Sequence, residues 1–350
     1  MPGLSLNQSH HDWQHANVGD SPASIATGWS EPVPGRELHP LKSSAFHGAL
    51  LPQQSLNFRP GIWEDLHRFI DKIAAMDSKG YVLLSFLLFL VLPSSAASPE
   101  PEVVSFRSGE ITLQGMLYKP EGEGPFPAVL YNHGSAPGML SKQAFEALGP
   151  VFASHGWVFF GPYRRGQGLS ASAGRYIGDE IAEAKKKGGM TAGAATMVRL
   201  LETDHLNDQL AALAWLRTQS SVSRDRIAVA GNSFGGIEVV LGAERGSYCA
   251  AVDSAGAAQS WEDAPEVQAS MTRAVRNSRV PIFFFQAEND YDLWPSRTLS
   301  AAMKDAGKEF EIKIYPPYGK STQDGHTFGY FGSLVWGVDV FRFLDQHCHK

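Results

Sequence analysis

Dense apolar runs and amphipathic segments alternate along the chain from Val103 towards its C-terminal end. Short apolar runs bounded by turn residues are typical of buried strands, whereas apolar residues three and four positions apart are typical of helices that cover a sheet. Eight strands are predicted on this basis, at residues 103–106, 111–118, 126–131, 157–161, 226–230, 249–252, 281–286 and 310–314. The alternation predicts an α/β protein, in which a mostly parallel eight-stranded sheet carries helices on both faces.

The helical pattern is clearest in residues 206–216, where leucines recur at spacings of four and three. Residues 295–306 and 331–347 are predicted as two further helices, and a shorter helical pattern covers residues 237–243. The segment 170–195 is rich in Gly, Ala and Lys and matches neither period. Two interpretations of it stay open, a cap over a functional site and a long loop.

The first hundred residues have a different character. Residues 1–75 are mostly rich in Pro, Gly, Ser and His and are predicted to be disordered or a non-native extension. Residues 76–97 combine a short polar start, an apolar run and small residues, which are the three parts of a secretory signal peptide. We therefore expect translation to begin at Met76 and the protein to be secreted or periplasmic, with residues 98–350 as its catalytic domain. The alternative is a cytosolic extension before a signal anchor.

Composition narrows the function classes. The chain is 43% hydrophobic and 19% charged, with a net charge of -6, which is typical of a globular protein. Its longest basic run, Lys185 to Lys187, is interpreted as a solvated helix face rather than a docking patch for nucleic acid or an anionic membrane. The apolar run within residues 76–97 is too short for a stable membrane span, since a crossing needs about 20 residues.

The cysteine count bears on metals and redox state. The two cysteines, Cys249 and Cys348, form no CxxC motif and no Cys/His cluster, so no metal site is predicted. In an oxidising compartment they could form a disulfide. The alternative is that both are small apolar residues near the core.

The strongest chemical signal is the segment Gly231-Asn232-Ser233-Phe234-Gly235. A buried strand runs into it and a helical pattern leaves it, which is the setting of a nucleophile elbow. The turn is so tight that small residues must flank the serine. Ser233 is therefore the predicted nucleophile, with Gly231 and Gly235 as supporting residues. The alternative is a glycine-rich strand-to-helix turn with Ser233 as a helix cap.

A serine nucleophile of this kind needs an acid and a base, which follow it in chain order. Glu288, Asp290 and Asp292 all lie in the loop after the strand 281–286, and any of the three could be the acid. His326 lies between the last strand and the last helix, and the other histidines after Asp290 belong to the C-terminal tail. His326 is therefore the predicted base.

An oxyanion formed in acyl transfer needs two preorganised donors. One predicted donor is the backbone N–H of Phe234, directly after the nucleophile. The second is the N–H of Ser135, in the loop after the strand 126–131, where Gly134 allows the backbone to turn inward. His133 in the same loop is predicted to be structural rather than catalytic.

Taken together, these residues resemble the α/β-hydrolase superfamily, in its dienelactone-hydrolase and prolyl-oligopeptidase-like branch. The resemblance spans the chain from Val103 onward and rests on His133-Gly134, residues 163–170, residues 231–236, residues 288–290 and Gly325-His326. It implies the α/β-hydrolase fold, selects Asp290 as the acid, and makes Arg164 and Arg165 supporting residues that frame the site.

The chain also departs from these families. Dienelactone hydrolase has a cysteine nucleophile where this chain has Ser233, and the residues before Val103 cannot form the β-propeller of the oligopeptidases. The expected activity is hydrolysis of a small-molecule carboxylic ester, with no metal and no organic cofactor. The alternatives are a peptidase that acts on short peptides and a catalytically silent binding protein of the same fold. The sequence does not predict the oligomeric state.

Overall fold

The sheet that the sequence predicts is present in the computed structural model, which describes residues 101–135 and 139–348. Its strands are β1 Glu102–Ser108, β2 Ile111–Tyr118, β3 Phe126–Asn132, β4 Val158–Pro162, β5 Val222–Asn232, β6 Ala251–Ser254, β7 Ile282–Ala287 and β8 Phe310–Tyr315. Each lies within a few residues of its predicted position. The predictions for residues 1–75 and 76–97 lie outside the described residues.

The strands pair in the order β1-β2-β4-β3-β5-β6-β7-β8. β2 is antiparallel to both β1 and β4, and every other pair is parallel. The carboxyl ends of parallel strands meet at one edge, so the loops after β3, β5 and β7 come together there. This arrangement confirms the predicted fold class.

Helices cover both faces of the sheet. They are α1 Met139–Ser154, α2 Ile177–Leu200, α3 Leu206–Leu216, α4 Phe234–Arg245, α5 Pro265–Arg276, α6 Trp294–Asp305, α7 Thr322–His326, α8 Phe328–Phe331 and α9 Ser333–Cys348. The predicted helices correspond to α3, α4, α6 and α9. The sequence pattern did not predict α1, α2, α5, α7 or α8.

The long-loop interpretation of residues 170–195 is wrong, because most of this segment is helical. A short 3-10 helix, Gly168–Ala173, is followed by α2, which has non-helical backbone only at Gly188 and Gly189. The apolar side chains of α2 that join the core are Ile177, Ala194, Met197 and Leu200. The segment is therefore packed against the body of the domain near its two ends, whereas residues 179–192 between them include no buried residue.

The core consists of two apolar clusters separated by the sheet. Consecutive strand residues alternate between them, so that Val229 packs into the cluster with α2 to α6 and Ala228 into the cluster with α1 and α9. Both residues are fully buried. Central strands that are buried on both faces explain why the sequence shows continuous apolar runs there.

The two cysteines form a disulfide, which decides between the two interpretations of the sequence. Cys249 lies just before β6 and Cys348 is the last residue of α9, and the bond joins positions 99 residues apart. The end of α9 is held further by Arg226, whose Nε–H donates to the Cys348 carbonyl at 2.7 Å.

Within residues 101–135 and 139–348, no helix combines the length and apolar character that a membrane crossing requires. The same residues contain no cluster of three or more His, Cys, Asp or Glu side chains that could bind a metal ion.

Candidate active site

Three loops at the carboxyl edge of the sheet bring Ser233, His326 and Asp290 into one chain of hydrogen bonds. Ser233 follows β5, Asp290 follows β7, and His326 is the last residue of α7. His326 Nε2 lies 2.8 Å from Ser233 Oγ, and His326 Nδ1 lies 2.8 Å from Asp290 Oδ1. A carboxylate can only accept, so Nδ1–H donates to Asp290 and Nε2 is left to accept from the serine hydroxyl.

The backbone at Ser233 is strained in the way that a nucleophile elbow requires. Its φ and ψ are 60° and -119°, a conformation that non-glycine residues rarely adopt. A Cβ at Gly231 would lie 2.5 Å from the Gly235 carbonyl oxygen, and one at Gly235 would lie 2.0 Å from that of Asn132. Glycine is needed at both positions because β3, β5 and the start of α4 approach so closely.

Asp290 is held by its neighbours in an orientation that faces His326. Its side chain is fully buried, and its Oδ2 accepts from Gln286 Nε2 at 2.9 Å while its Oδ1 accepts from the Tyr291 N–H at 2.6 Å. Ser296 in turn donates to Gln286 Oε1 at 2.6 Å. These bonds fix the carboxylate before any substrate is present.

The other two carboxylates of this loop have different surroundings. Glu288 is exposed, and Asp292 Oδ1 accepts from the Trp294 N–H at 2.8 Å at the start of α6. The Asp292 carboxylate therefore accepts a hydrogen bond from a backbone N–H at the N-terminus of α6. Of the three candidates in the sequence, Asp290 is the one that contacts His326.

His326 is also fixed on its other sides. Its ring is almost completely buried, and the Tyr291 ring contacts it edge-on with 5.3 Å between centroids. Its backbone carbonyl accepts from Asn232 Nδ2 at 3.1 Å. Gly325 lets the loop approach closely, since a Cβ there would lie 2.7 Å from Asn289.

The two amides predicted as oxyanion donors lie in different settings. Phe234 is the first residue of α4, and the first N–H groups of a helix have no acceptor within the helix. Ser135 follows Gly134, whose own N–H donates to Tyr330 Oη at 2.9 Å. The Ser135 carbonyl accepts from Gln167 Nε2 at 3.1 Å and from the hydroxyl of Tyr176.

His133 is buried and holds the loop after β3. Its Nε2 accepts from the Arg164 N–H at 3.1 Å, and its Nδ1 lies 2.6 Å from the Gly134 carbonyl oxygen, to which it donates. Burial lowers the pKa of His133 well below its usual value, and the nearby charge of Arg164 lowers it further. The neutral ring with one donor and one acceptor agrees with the predicted structural role.

Arg164 connects this loop to the helix after the nucleophile. Its guanidinium forms a buried ion pair with Glu238 of α4, with bonds of 2.9 and 2.7 Å, and it donates to the His133 carbonyl at 2.7 Å. It also donates to the Gly134 carbonyl at 3.4 Å and to Gln167 Oε1 at 2.8 Å. Arg164 therefore supports the site through the backbone of the β3 loop.

Arg165, the other predicted supporting arginine, points to a different part of the molecule. Its guanidinium pairs with Asp208 at 2.6 Å and with Asp204 at 3.2 Å. Asp208 in turn accepts from Ser108 Oγ at 2.5 Å. These contacts join α3 and β1 to the loop after β4. Arg165 therefore stabilises the packing of these elements and does not contact Ser233, Asp290 or His326 among the interactions described.

Several residues that contact this site were not predicted. They are Gln167, Tyr176, Glu238, Gln286 and Tyr330. Glu238 carried the clearest signal, since it is one charged residue in the otherwise apolar start of α4. Burial raises the pKa of Glu238, and Arg164 opposes that rise. Tyr330 is buried against the β3 loop, whereas its neighbour Phe331 is exposed.

A comparison with protein-family models matches residues 113–328 to the dienelactone hydrolase family. Among solved structures, an acylaminoacyl peptidase from Pyrococcus horikoshii is 20% identical with a TM-score of 0.52, over 74% of this chain and 42% of the peptidase. A puromycin-hydrolyzing peptidase from Mycobacterium tuberculosis is 19% identical with a TM-score of 0.52, over 74% of this chain and 41% of that one. This chain thus spans less than half the length of these peptidases.

An esterase from Pyrococcus furiosus, Pf2001, is 15% identical with a TM-score of 0.52, over 72% of this chain and 92% of the esterase. At such identities the likeness to solved structures establishes the α/β-hydrolase fold alone. A comparison with curated protein sequences finds no match.

Proposed function

We propose that this chain, which belongs to the dienelactone hydrolase family, cleaves carboxylic esters of small substrates through an acyl-enzyme on Ser233. The observation that carries the proposal is the chain of two 2.8 Å hydrogen bonds from Ser233 through His326 to Asp290. An ordered serine, base and acid at a strained strand-to-helix turn is the arrangement that activates a hydroxyl for acyl transfer.

In the proposed reaction, His326 Nε2 takes the Ser233 proton as Oγ attacks the ester carbonyl carbon. Asp290 accepts from Nδ1–H throughout and stabilises the charged ring. The carbonyl oxygen becomes an oxyanion that accepts from the N–H groups of Phe234 and Ser135. The protonated His326 then gives its proton to the leaving alkoxide, and the same ring later activates the water that hydrolyses the acyl-enzyme.

We propose esters rather than peptides as the substrate because of the share of each similar protein that this chain covers. The chain matches nearly the whole of the Pyrococcus furiosus esterase but less than half of each peptidase. A peptidase of the same arrangement is the second candidate, supported by the names of those larger relatives.

Export is proposed on two grounds. Residues 76–97 have the pattern of a signal peptide, and disulfides persist mainly in oxidising compartments. N-terminal sequencing of the protein recovered from outside the cytosol should start near residue 98. A start within residues 1–75 would contradict both the proposed processing and the non-native extension.

The proposed activity is tested with a series of p-nitrophenyl esters from acetate to decanoate, with short peptide anilides beside them. The wild type should hydrolyse the esters, and Ser233→Ala should lose the activity while it keeps its melting temperature. Labelling by a fluorophosphonate probe separates an enzyme from a silent binding protein. Labelling with peptide cleavage but no ester cleavage would replace the esterase by a peptidase.

A matched pair of variants tests the choice of acid. Asp290→Asn should lower kcat by about 10⁴-fold, because the histidine loses its carboxylate partner. Asp292→Asn removes a charge two positions away, on a carboxylate that accepts from the Trp294 N–H at the start of α6, so its kcat should stay within about twofold of the wild type. Equal losses in the two variants would contradict the assignment.

A further inference from the structure

Tyr330 places a buried hydroxyl beside the loop that bears one of the two proposed oxyanion donors. The residue is 2% exposed, and its Oη accepts from the Gly134 N–H at 2.9 Å. A Cβ at Gly134 would lie only 2.5 Å from this oxygen and 3.7 Å from Ser233 Cβ. The hydroxyl, the loop and the nucleophile are therefore immediate neighbours.

The bond to Tyr330 occupies one of the two consecutive amides in this loop. Because Gly134 N–H already donates to Tyr330, the Ser135 N–H is the amide of this pair that is left for an oxyanion. The direction of that second amide is set by its own peptide plane, in which the carbonyl and the N–H point in opposite directions.

The carbonyl of that plane belongs to Gly134, and it accepts from His133 Nδ1 at 2.6 Å and from Arg164 Nη1 at 3.4 Å. The Ser135 N–H therefore points away from His133 and Arg164. Tyr330 fixes the plane before this one and Tyr176 the plane after it, through their hydroxyls. Side chains thus determine the orientation of three successive peptide planes.

We infer that Tyr330 is a positioning residue for the proposed hydrolysis, whose hydroxyl occupies the Gly134 amide and so aims the Ser135 N–H at the oxyanion. This inference rests on the proposed function. It gives Tyr330 no contact with the substrate, and it predicts an effect on the transition state rather than on substrate binding.

Packing alone does not account for the hydroxyl at this position. Tyr131 is a second buried tyrosine nearby, with 6.5 Å between the two ring centroids, and its hydroxyl has no hydrogen-bond partner among the described residues. The two tyrosines thus differ in that the Tyr330 hydroxyl accepts a hydrogen bond and the Tyr131 hydroxyl is buried by packing alone. Tyr131→Phe is the matched control for Tyr330→Phe, since both remove one oxygen from the same aromatic cluster.

The test compares wild type, Tyr330→Phe and Tyr131→Phe as full chains with the best ester substrate. For Tyr330→Phe we expect kcat to fall about 10- to 100-fold with KM changed by less than about twofold, because a misplaced donor costs transition-state binding. The inhibition constant of a trifluoromethyl ketone, which forms a tetrahedral adduct on the serine, should rise in proportion. Tyr131→Phe should match the wild type in all three quantities.

An unchanged kcat in folded Tyr330→Phe, or a rise in KM alone, would overturn the inference and favour a substrate-pocket role. If Tyr330→Phe does not fold, Tyr176→Phe provides the test, because its hydroxyl holds the Ser135 carbonyl from the other side. A wild-type kcat in Tyr176→Phe would then also count against the inference.

Failure of the proposed function is a separate outcome. The wild type could cleave no ester and still react with a fluorophosphonate. The labelling rate then depends on the same oxyanion donors, so the rates of wild type and Tyr330→Phe can be compared instead. A rate lowered about tenfold or more in the variant supports the positioning role, and equal rates overturn it.

Discussion

The two proposed oxyanion donors are held in place by different means. The Phe234 N–H is fixed by the local chain, since Ser233, the flanking glycines and the first turn of α4 determine its direction. The Ser135 N–H lies in a loop whose peptide groups bond to the side chains of four residues distant in the sequence, namely Arg164, Gln167, Tyr176 and Tyr330. We call the turn around Phe234, which is held by its own backbone, the backbone half of the site. The loop of Gly134 and Ser135, which is held by distant side chains, is the side-chain half.

This difference indicates which half tolerates change. A backbone-held donor fails only when the chain itself is displaced, as by a new Cβ at a close approach. A donor held by side chains can be weakened step by step, because each hydrogen bond is removable by substitution. Variation in activity without loss of the fold should therefore arise in the side-chain half.

Gly235→Ala is the sharpest way to break the backbone half. The new Cβ would lie 2.0 Å from the Asn132 carbonyl oxygen, so β3 and α4 would have to separate. We expect activity to fall below detection and the free energy of unfolding to fall by about 3 kcal/mol. Activity assays and urea denaturation measure the two effects.

Gly337→Ala is the control for that substitution, because a Cβ at Gly337 would meet Phe341 at an ordinary 3.9 Å. It should be neutral, or stabilising by about 0.5 to 1 kcal/mol through its effect on helix propensity. A stable and active Gly235→Ala variant would contradict the rigidity of the backbone half.

Arg164→Met breaks the side-chain half. It leaves Glu238 buried without its ion-pair partner and removes one of the donors on the Gly134 carbonyl. We expect the free energy of unfolding to fall by about 3 to 5 kcal/mol, and kcat to fall about 10- to 100-fold in the remaining folded protein.

The double variant Arg164→Met with Glu238→Leu separates these two effects. Removal of both charges should recover much of the stability, because no buried charge is left unpaired. It should not recover kcat, since the donor to Gly134 is still missing. Recovery of kcat together with stability would show that Arg164 acts on folding alone.

A third prediction concerns the pH dependence of stability at Asp253, which lies beside Gly236 in the backbone half. Burial raises the pKa of Asp253 to about 7, and its hydrogen bond from the Gly256 N–H opposes the rise. The folded protein thus keeps a proton that the unfolded chain loses above about pH 4. Stability from this group is present at low pH and is lost as the pH rises towards 7.

Asp253→Asn should therefore flatten the profile of unfolding free energy between about pH 4 and pH 7, where one proton contributes a slope of about 1.4 kcal/mol per pH unit. Chemical denaturation at a series of pH values measures this slope. Ester hydrolysis at neutral pH should be unchanged, because Asp253 contacts Gly256 and Gly236 rather than Ser233. Parallel profiles for the two proteins would contradict the raised pKa.

The same division explains what the sequence could predict. The elbow at Ser233 is a local motif, and the order of His326 and Asp290 along the chain follows from the topology of the sheet. The bond from Gly134 to Tyr330 spans 196 positions, and the pair Arg164–Glu238 spans 74. No short-range sequence pattern predicts such contacts, because they form only when distant loops pack together in the tertiary structure.

The missed helices have their own physical reasons. α1 contains Pro150 and α2 contains the glycine pair at 188 and 189, and both residue types weaken a helical signal. α5 has the spacing of an amphipathic helix, with Pro265 in its first turn and buried positions at Val267, Met271 and Val275, so the sequence did carry a signal for it. For α1 and α2, tertiary packing stabilises a helix whose sequence alone favours it only weakly.

The disulfide between Cys249 and Cys348 has a mechanical consequence. If the folded chain is stretched from handles placed before β1 and after Cys348, the tension passes through the sulfur–sulfur bond and bypasses the segment between the cysteines. That bypass hides a loop with a sequence separation of 99, or roughly 350 Å of extended contour. In a single-molecule pulling experiment this length would appear only after a reductant is added. Asp290 and His326 lie within the shielded segment, whereas the strand that presents Ser233 bears the load.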